Sequence, residues 1–224
     1  MQLKGKEFFA SACSKWELEL TSEKMSMLEI FVEEILKKSA IFNLISERDR
    51  HRIWSRHILD SLALLPLLKQ ISGFPGKRRF LDIGSGAGFP AIPLKIFINN
   101  YFQLCERNRR KQQFLIWIKM KLRLSGMEIF KSSVEKTKNE SFDIATERAL
   151  GKLEHILPLC LSTVKKNGGI FCAWHTEPAI LKGKEINKIL FQYNAKILNI
   201  FSYALPQEEK ERHIFVFRRG QCTH

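Results

Sequence analysis

"RFLDIGSGAGFP" spans residues 79–90, a short apolar run that closes on an acid and opens into three glycines at alternate positions, Gly84, Gly86 and Gly88. An apolar strand, a glycine turn and a helical pattern in that order are the unit with which an open α/β sheet receives a ligand beyond its strand ends. Loops that cradle a dinucleotide follow G-x-G-x-x-G, so that backbone and helix N-terminus meet a pyrophosphate. Here the third glycine comes one residue too early. Asp82 stands two residues before the first glycine, where a carboxylate repels phosphate and attracts a cation. S-adenosylmethionine carries a sulfonium, an ammonium and a carboxylate but no phosphate. The acid-x-G-x-G-x-G pattern therefore fits that donor better than NAD.

Outward from this loop, strand-like runs alternate with amphipathic segments: "RFLDI", "YFQLCE", "EIFKS", "FDIAT", "GIFCAW", "KILNIF" and "HIFVFR". The alternation predicts an α/β fold, a mainly parallel sheet with helices on both faces, and the seven runs resemble the seven-stranded sheet of Rossmann-like class I methyltransferases with its antiparallel last strand. Residues 1–75 read as an N-terminal helical region. Met27, Ile30, Phe31 and Ile35 recur at helical intervals behind possible caps at Thr21 and Ser22, and a further helix is expected through "RIWSRHILDSLALL". Gly73, Pro75 and Gly76 break that periodicity. The methyltransferase domain is then expected over 76–219, with a tail at 220–224.

Ligands of such sheets sit at the C-terminal strand ends, where Gly84 to Gly88, Glu106, Ser132 to Glu135, Arg148 and His175 all fall. Glu106 follows the first glycine by about 20 residues, the place of an acid that accepts hydrogen bonds from ribose hydroxyls. NAD and S-adenosylmethionine share that requirement. In "SSVEKT", Val134 offers packing and Glu135 an acceptor for an adenine.

Lysine and arginine total 37 against 23 acids, a formal charge of +14, which suits a partner with a phosphate backbone or an anionic membrane. Basic clusters recur at "ERDRHR", "GKRRF", "ERNRRK" and "KMKLR", a distribution that fits a surface tracking RNA as well as ordinary solvated helix faces. No apolar stretch approaches the roughly 20 residues that span a bilayer, and the apolar part of the N-terminus is too short for a secretory signal, so a cytoplasmic protein without membrane contact is expected. The five cysteines contain no C-x-x-C pair, which argues against a metal site and a disulfide framework. Trp117 in "FLIWI" reads as core, whereas Trp174 at a strand end reads as a platform for an unstacked base. Arg56 and His57 either meet substrate or dock a helix, with Asp60 one turn from Arg56.

"RHILDSL" (56–62), "FLDIGSGAGFPAIPLKI" (80–96), "SSVEKT" and "ERALGKLEHILPLC" together resemble the small-subunit ribosomal RNA guanine-N7 methyltransferases, the glucose-inhibited division protein B family. The resemblance implies S-adenosylmethionine as donor and N7 of one guanine as acceptor, in 16S ribosomal RNA or the assembling small subunit. It also implies cofactor contacts at Gly84, Phe89, Val134, Glu135 and Arg148. The chain departs from the family at Ala173-Trp174-His175-Thr176, where Ala-x-Lys-Gly is usual, at Ile45 in place of a threonine, and at Glu147, where a small residue is common. Motif and resemblance combine into a cofactor set of Asp82, Gly84, Gly86, Gly88, Phe89, Glu106, Val134, Glu135 and Arg148. The substrate set is Arg56, His57, Trp174 and His175, in a monomer without metal. Guanine N7 presents a free lone pair, so no catalytic acid or base is expected. The competing readings are another RNA or small-molecule methyltransferase and an RNA-binding module with weakened catalysis.

Overall fold

Five residues, Arg79–Ile83, form strand β1, and all but the first are buried because helices cover both faces of the sheet at that point. The computed structural model describes residues 2–71, 74, 76–137, 140–148, 150–206 and 208–220. Gly73, Pro75, Cys222 and the rest of the tail beyond Gly220 lie outside the described residues. After β1 come α5 (Ala91–Phe97), β2 (Tyr101–Cys105), α6 (Arg109–Lys121), β3 (Met127–Phe130), β4 (Ile144–Arg148), α7 (Leu153–Thr163), β5 (Ile170–His175), α8 (Lys184–Gln192), β6 (Ala195–Tyr203) and β7 (Arg212–Arg219). The sheet order is β3-β2-β1-β4-β5-β7-β6. Strands β1 to β5 pair in parallel, and β7 runs antiparallel to both β5 and β6. The seven-stranded, mainly parallel sheet with its antiparallel last strand is thus the one the sequence predicts.

Strand order reverses between β1 and β4, the switch point where an open sheet leaves a crevice. The glycine loop leaves the sheet from β1 at this crevice, and Arg148 ends β4 beside it.

Alternation of side chains decides which layer each strand residue feeds. Phe80 stacks on Phe102 at 4.5 Å on the face that holds the N-terminal helices α1 (Gln2–Lys15) and α2 (Ser22–Phe42), with α5 and α6. Leu81 and Ile83 point to the opposite face, where α7 and α8 bury Leu157, Leu161, Ile186 and Ile189 against Phe171 and Phe217. Each such fully buried side chain contributes about 1.5–3 kcal/mol. Phe9, Leu28 and Phe31 share one core with the strands, so the N-terminal helices form a layer of the sheet's own packing.

Local signals fix the helix ends. Thr21 accepts a hydrogen bond from the Lys24 amide at the start of α2, and Asn43 closes it in the left-handed conformation with its N–H on Ser39 O. Asn108 caps α6 by accepting from the Arg110 and Lys111 amides.

The sequence predicts one helix through "RIWSRHILDSLALL"; the structure breaks it. A 3₁₀ turn over Glu47–Arg52 passes into a wide π-helical turn over Ile53–Leu59, followed by the short helices α3 (Asp60–Leu62) and α4 (Leu64–Lys69). In a continuous α-helix Arg56 and Asp60 would share a face and pair. Instead Arg56 turns to Asp49 at 3.0 Å, and Asp60 is driven into the interior. Trp117 also departs from its expected core position. It sits at the surface of α6, donating its indole N–H to Glu34 at 3.0 Å beneath the ammonium of Lys38.

Four cysteines, Cys13, Cys105, Cys160 and Cys172, are free and buried. Among the described residues no helix is long and apolar enough to cross a membrane.

Gly88 adopts φ +96, and a Cβ there would lie 2.4 Å from Ile92 Cδ1 and 2.9 Å from its Cγ1, at the root of α5. Gly88→Ala is expected to lose about 2–4 kcal/mol of unfolding free energy in urea titrations, from backbone strain and overpacking together.

Candidate active site

The loop after β1 is held from below. The Gly84 and Ser85 amides both donate to Cys105 O, at 2.9 and 3.1 Å, and the Gly88 amide donates to Ser85 O at 2.7 Å. The Gly86 amide donates to Glu106 Oε2 at 2.8 Å, and Glu106 Oε1 accepts from the Asn108 amide at 2.7 Å. Most of the loop's N–H groups are therefore engaged within the turn, so the glycines provide room and close approach more than a cradle of donors. Gly86 carries this furthest: at φ +57 the nearest atom to an added Cβ is Gly84 O at 3.8 Å, so the position faces open space.

Asp82 lies beneath the loop with 1% exposure. Its Oδ1 accepts from the Thr146 hydroxyl at 2.8 Å, while Oδ2 is buried without a hydrogen-bond partner. Burial pushes its carboxyl up to about 7. An acceptor buried without a partner at a ligand crevice calls for a donor from the ligand. The two carboxylates around the glycine loop and the space above Gly86 match a ligand that brings an ammonium and ribose hydroxyls, so the residues fit S-adenosylmethionine. Val134 is buried beyond β3, and Glu135 beside it is exposed, its carboxyl held below the usual range chiefly by the Ser133 hydroxyl.

On the β4 side, Arg148 is fixed at both ends of its guanidinium. Nη1 donates to Asp60 Oδ2 at 3.0 Å, and Nη2 lies 2.8 Å from His57 Nδ1. Burial, followed by the Arg148 charge, drives His57 down to about 3, so its ring is neutral and Nδ1 accepts. The guanidinium lies over the Phe89 ring at 5.1 Å, and His57 stacks on the same ring at 4.9 Å. Phe89 itself is buried against Phe31. Its ring is a support for Arg148 and His57, and only its backbone borders the loop.

Asp60 was legible in "RHILDSL" only as a neighbour of Arg56; the structure makes it the hub. It is fully buried, and its Oδ1 accepts from the Tyr203 hydroxyl at 2.5 Å and faces Arg212 Nη1 at 3.4 Å. Arg212 and Arg52 also meet Glu208, at 2.8 and 2.6 Å. A single acid inside the apolar run "HILDSLALL" was the available signal, since a buried carboxylate demands partners.

Trp174 requires a correction. The base-stacking platform expected there is instead a core residue, 7% exposed, with its indole N–H donating to Asp60 O at 3.0 Å. Alternation along β5 turns it inward towards the N-terminal helices, leaving no free aromatic face. His175, the next residue, turns to the other face and lies parallel to Phe215 at 5.3 Å. Its Nε2 is 3.4 Å from Glu147 Oε1. Glu147 is fully buried and accepts from the Leu150 amide at 3.1 Å, which draws the loop after β4 towards Gly84. Two of the departures from the family pattern, Glu147 and His175, are thus neighbours in space. Of the four residues expected to meet substrate, Arg56 contacts Asp49 and His57 contacts Arg148. Among the described residues no group of three or more His, Cys, Asp or Glu side chains is placed to hold a metal ion.

A family model described as rRNA small subunit methyltransferase G matches residues 24–214. Among curated relatives, the ribosomal RNA small subunit methyltransferase G of Borrelia duttonii is 32% identical over 96% of this chain and 98% of that protein. That of Borrelia turicatae is 35% identical over 77% of each chain. The Bacillus licheniformis protein of the same name is 29% identical, covering 97% of this chain and 91% of its own. Among solved structures, magnesium protoporphyrin IX methyltransferase from Synechocystis superposes with a TM-score of 0.61 at 12% identity, over 90% of this chain and 99% of that one. A precorrin-6y C5,15-methyltransferase from Geobacter metallireducens gives 0.52 at 13% identity, over 79% and 91%. These two likenesses establish the fold.

Asp82 yields a pH prediction with a definite sign. Its carboxyl titrates near 7 in the fold, against 3.8 for an ordinary aspartate, so ionisation inside the cleft is unfavourable and a cationic ligand must offset it. S-adenosylmethionine affinity, measured by calorimetry, is expected to rise about tenfold between roughly pH 5.5 and 7 as the carboxylate forms. Asp82→Asn should bind more weakly with a flat profile. Without ligand, the parent should lose stability relative to that variant as pH climbs through the same range.

Proposed function

The chain belongs to the rRNA small subunit methyltransferase G family, and from that membership we propose that it transfers the methyl group of S-adenosylmethionine to N7 of a guanine in 16S ribosomal RNA. The observation that carries the reading is the crevice between β1 and β4, where an unpartnered Asp82 oxygen and a ribose-type acid, Glu106, flank an open glycine loop. When bound, S-adenosylmethionine supplies an electrophilic methyl group on a positively charged sulfur.

We assign the holding roles to this chain's residues in order along the cleft. Asp82 Oδ2 takes the ammonium. Gly86 lets the ligand lie against the backbone, Gly84 and Gly88 shape the turn by making room for Leu150 and Ile92, and the Phe89 backbone closes that edge. Glu106 keeps unused lone pairs for the ribose hydroxyls while its two oxygens hold the Gly86 and Asn108 amides. Val134 forms an apolar wall and Glu135 a polar edge for the adenine. Arg148 presents a fixed positive charge at the mouth of β4.

The acceptor nitrogen carries its lone pair ready, facing the major-groove edge of the base. No proton has to leave before attack, which fits a site in which the buried acids are engaged in positioning. Alignment of nucleophile and methyl group, with water excluded, can lower a barrier by about 7–11 kcal/mol in favourable cases. The rigid Asp60–Arg148–His57–Phe89 stack serves that purpose by fixing one wall of the crevice. The excess positive charge of the chain supports a nucleic-acid acceptor over a small molecule. Among the described residues no helix fits a membrane span, in keeping with an enzyme that meets the ribosomal subunit in the cytoplasm.

Gly86→Asp tests the assignment of the cleft. Aspartate tolerates the left-handed backbone better than most residues, so the variant should fold, while its side chain fills the space above the loop and adds a third acid to it. Calorimetry should detect no donor binding, and tritium transfer to 16S ribosomal RNA should fall by about a thousandfold, a loss of about 4 kcal/mol in transition-state stabilisation. Parental affinity in this variant contradicts the cleft. Reduction and aniline cleavage of RNA treated with the parent enzyme should give one new stop in primer extension, the mark of a 7-methylguanosine; methylation without that stop contradicts N7.

A further inference from the structure

The four basic clusters seen in the sequence have different fates in the fold. Most arginines of "ERDRHR" and its continuation are internally neutralised, Arg50 by Glu47, Arg52 by Glu208 and Arg56 by Asp49, which leaves Arg48 exposed. "GKRRF" enters β1 at the edge of the sheet opposite the ligand crevice, where Arg78 faces Asp143. Lys121 of "KMKLR" is held by Glu34 at 2.6 Å. "ERNRRK" lies at the ligand end, and among the described residues its cations form no ion pair.

Glu106 ends this last cluster's strand and turns inward to the glycine loop, and the chain then exposes Arg107, Arg109 and Arg110 with Lys111 half-buried. Among the described residues none of these four cations is in an ion pair, and Arg107 acts on Glu135 through space. The first turn of α6 contains no acid at all. Three cations at the positive end of a helix dipole oppose it, an arrangement that folding alone does not favour. Strand β3 emerges alongside, with the Glu106 amide on Phe130 O at 3.2 Å, and adds the exposed Lys131 and Lys136. Six cations therefore line one rim of the cofactor crevice, against the single exposed acid Glu135.

We propose that this rim, the C-terminal ends of β2 and β3 with the first turn of α6, carries the phosphate backbone of the substrate RNA. The inference rests on the reading of the chain as a ribosomal RNA methyltransferase. Phosphate oxygens restore the charge balance that the fold leaves open, and they do so beside the crevice, so a strand lying on the rim delivers a neighbouring base to it. Guanidinium groups suit the task because each donates two parallel hydrogen bonds to a phosphate. The rim reads no sequence; it sets register and approach.

Arg109→Ala, Arg110→Ala and Lys111→Ala combined test the rim, since alanine is a good helix former and the Asn108 cap works through backbone amides that stay in place. Calorimetry should return parental affinity for S-adenosylmethionine. In filter binding to extracted 16S ribosomal RNA and to small-subunit particles across a potassium chloride series, the slope of log K against log salt should become shallower by about 2 to 3. At roughly 0.15 M salt kcat/KM for RNA should drop at least about tenfold, with kcat at saturating RNA unchanged. The comparison variant removes Lys182, Lys184 and Lys188 of the α8 region, which are interleaved with Glu185, and its slope should change by less than about 1. A parental slope in the α6 variant, or an equal loss in both variants, overturns the rim. Failure of the parent enzyme to methylate either RNA overturns the enzymatic reading instead, so the two outcomes are distinguishable.

Discussion

A carboxylate with no exposure, Asp60, stands between the side chains of four strands and the helical layer that supplies it. Arg148 reaches it from β4 at 3.0 Å, Arg212 from β7 at 3.4 Å, and Tyr203 from β6 at 2.5 Å, while Trp174 of β5 donates to its backbone carbonyl. Four strands are thereby referred to a single residue of the N-terminal extension. Burying an unpaired carboxylate is far costlier than any one of these hydrogen bonds is worth, so the contacts form together or the layer does not dock. The π-helical turn over Ile53–Leu59 makes this possible, because it detaches Asp60 from Arg56 and turns it towards the sheet.

The same contact shapes the crevice. Asp60 and His57 hold Arg148 over Phe89, which follows the glycine loop directly, so one wall of the cofactor cleft is set by a residue from a different layer of the fold. The opposite wall is set by Glu106, which holds the Gly86 amide. At the glycine loop, Asp82 keeps an oxygen without a hydrogen-bond partner, and burial raises its carboxyl so that an arriving cation favours its ionised form. A site of this kind is preorganised everywhere except at the atom that receives the ligand's charge.

The sheet was legible in the sequence because apolar runs of four to six residues between amphipathic segments have few other solutions, and the glycine spacing at Gly84, Gly86 and Gly88 named the crevice. Cofactor-side positions follow from strand ends, which a periodicity reading locates within a residue or two. Trp174 was misjudged because its outward or inward orientation depends on which layer covers β5, and that layer comes from residues 1–62, far away in the chain. Trp117 was misjudged in the opposite direction: its helix face is closed by Glu34, Lys38 and Lys121, polar partners that no local pattern announces. The Asp60 hub is equally nonlocal, with partners 88, 143 and 152 positions away. Pairings at such separations are set by the fold and leave no periodic trace.

A double-mutant cycle between Asp60→Ala and Arg148→Ala, read in urea unfolding free energy and in S-adenosylmethionine affinity, addresses the hub most directly. If the carboxylate and guanidinium are each other's reason for being buried, the paired variant should lie about 2 kcal/mol or more above the sum of the singles in stability, and donor affinity should fall by the same factor in all three. Additive losses, with donor affinity dependent on Arg148 alone, would contradict the view that the helical layer sets the wall of the cleft.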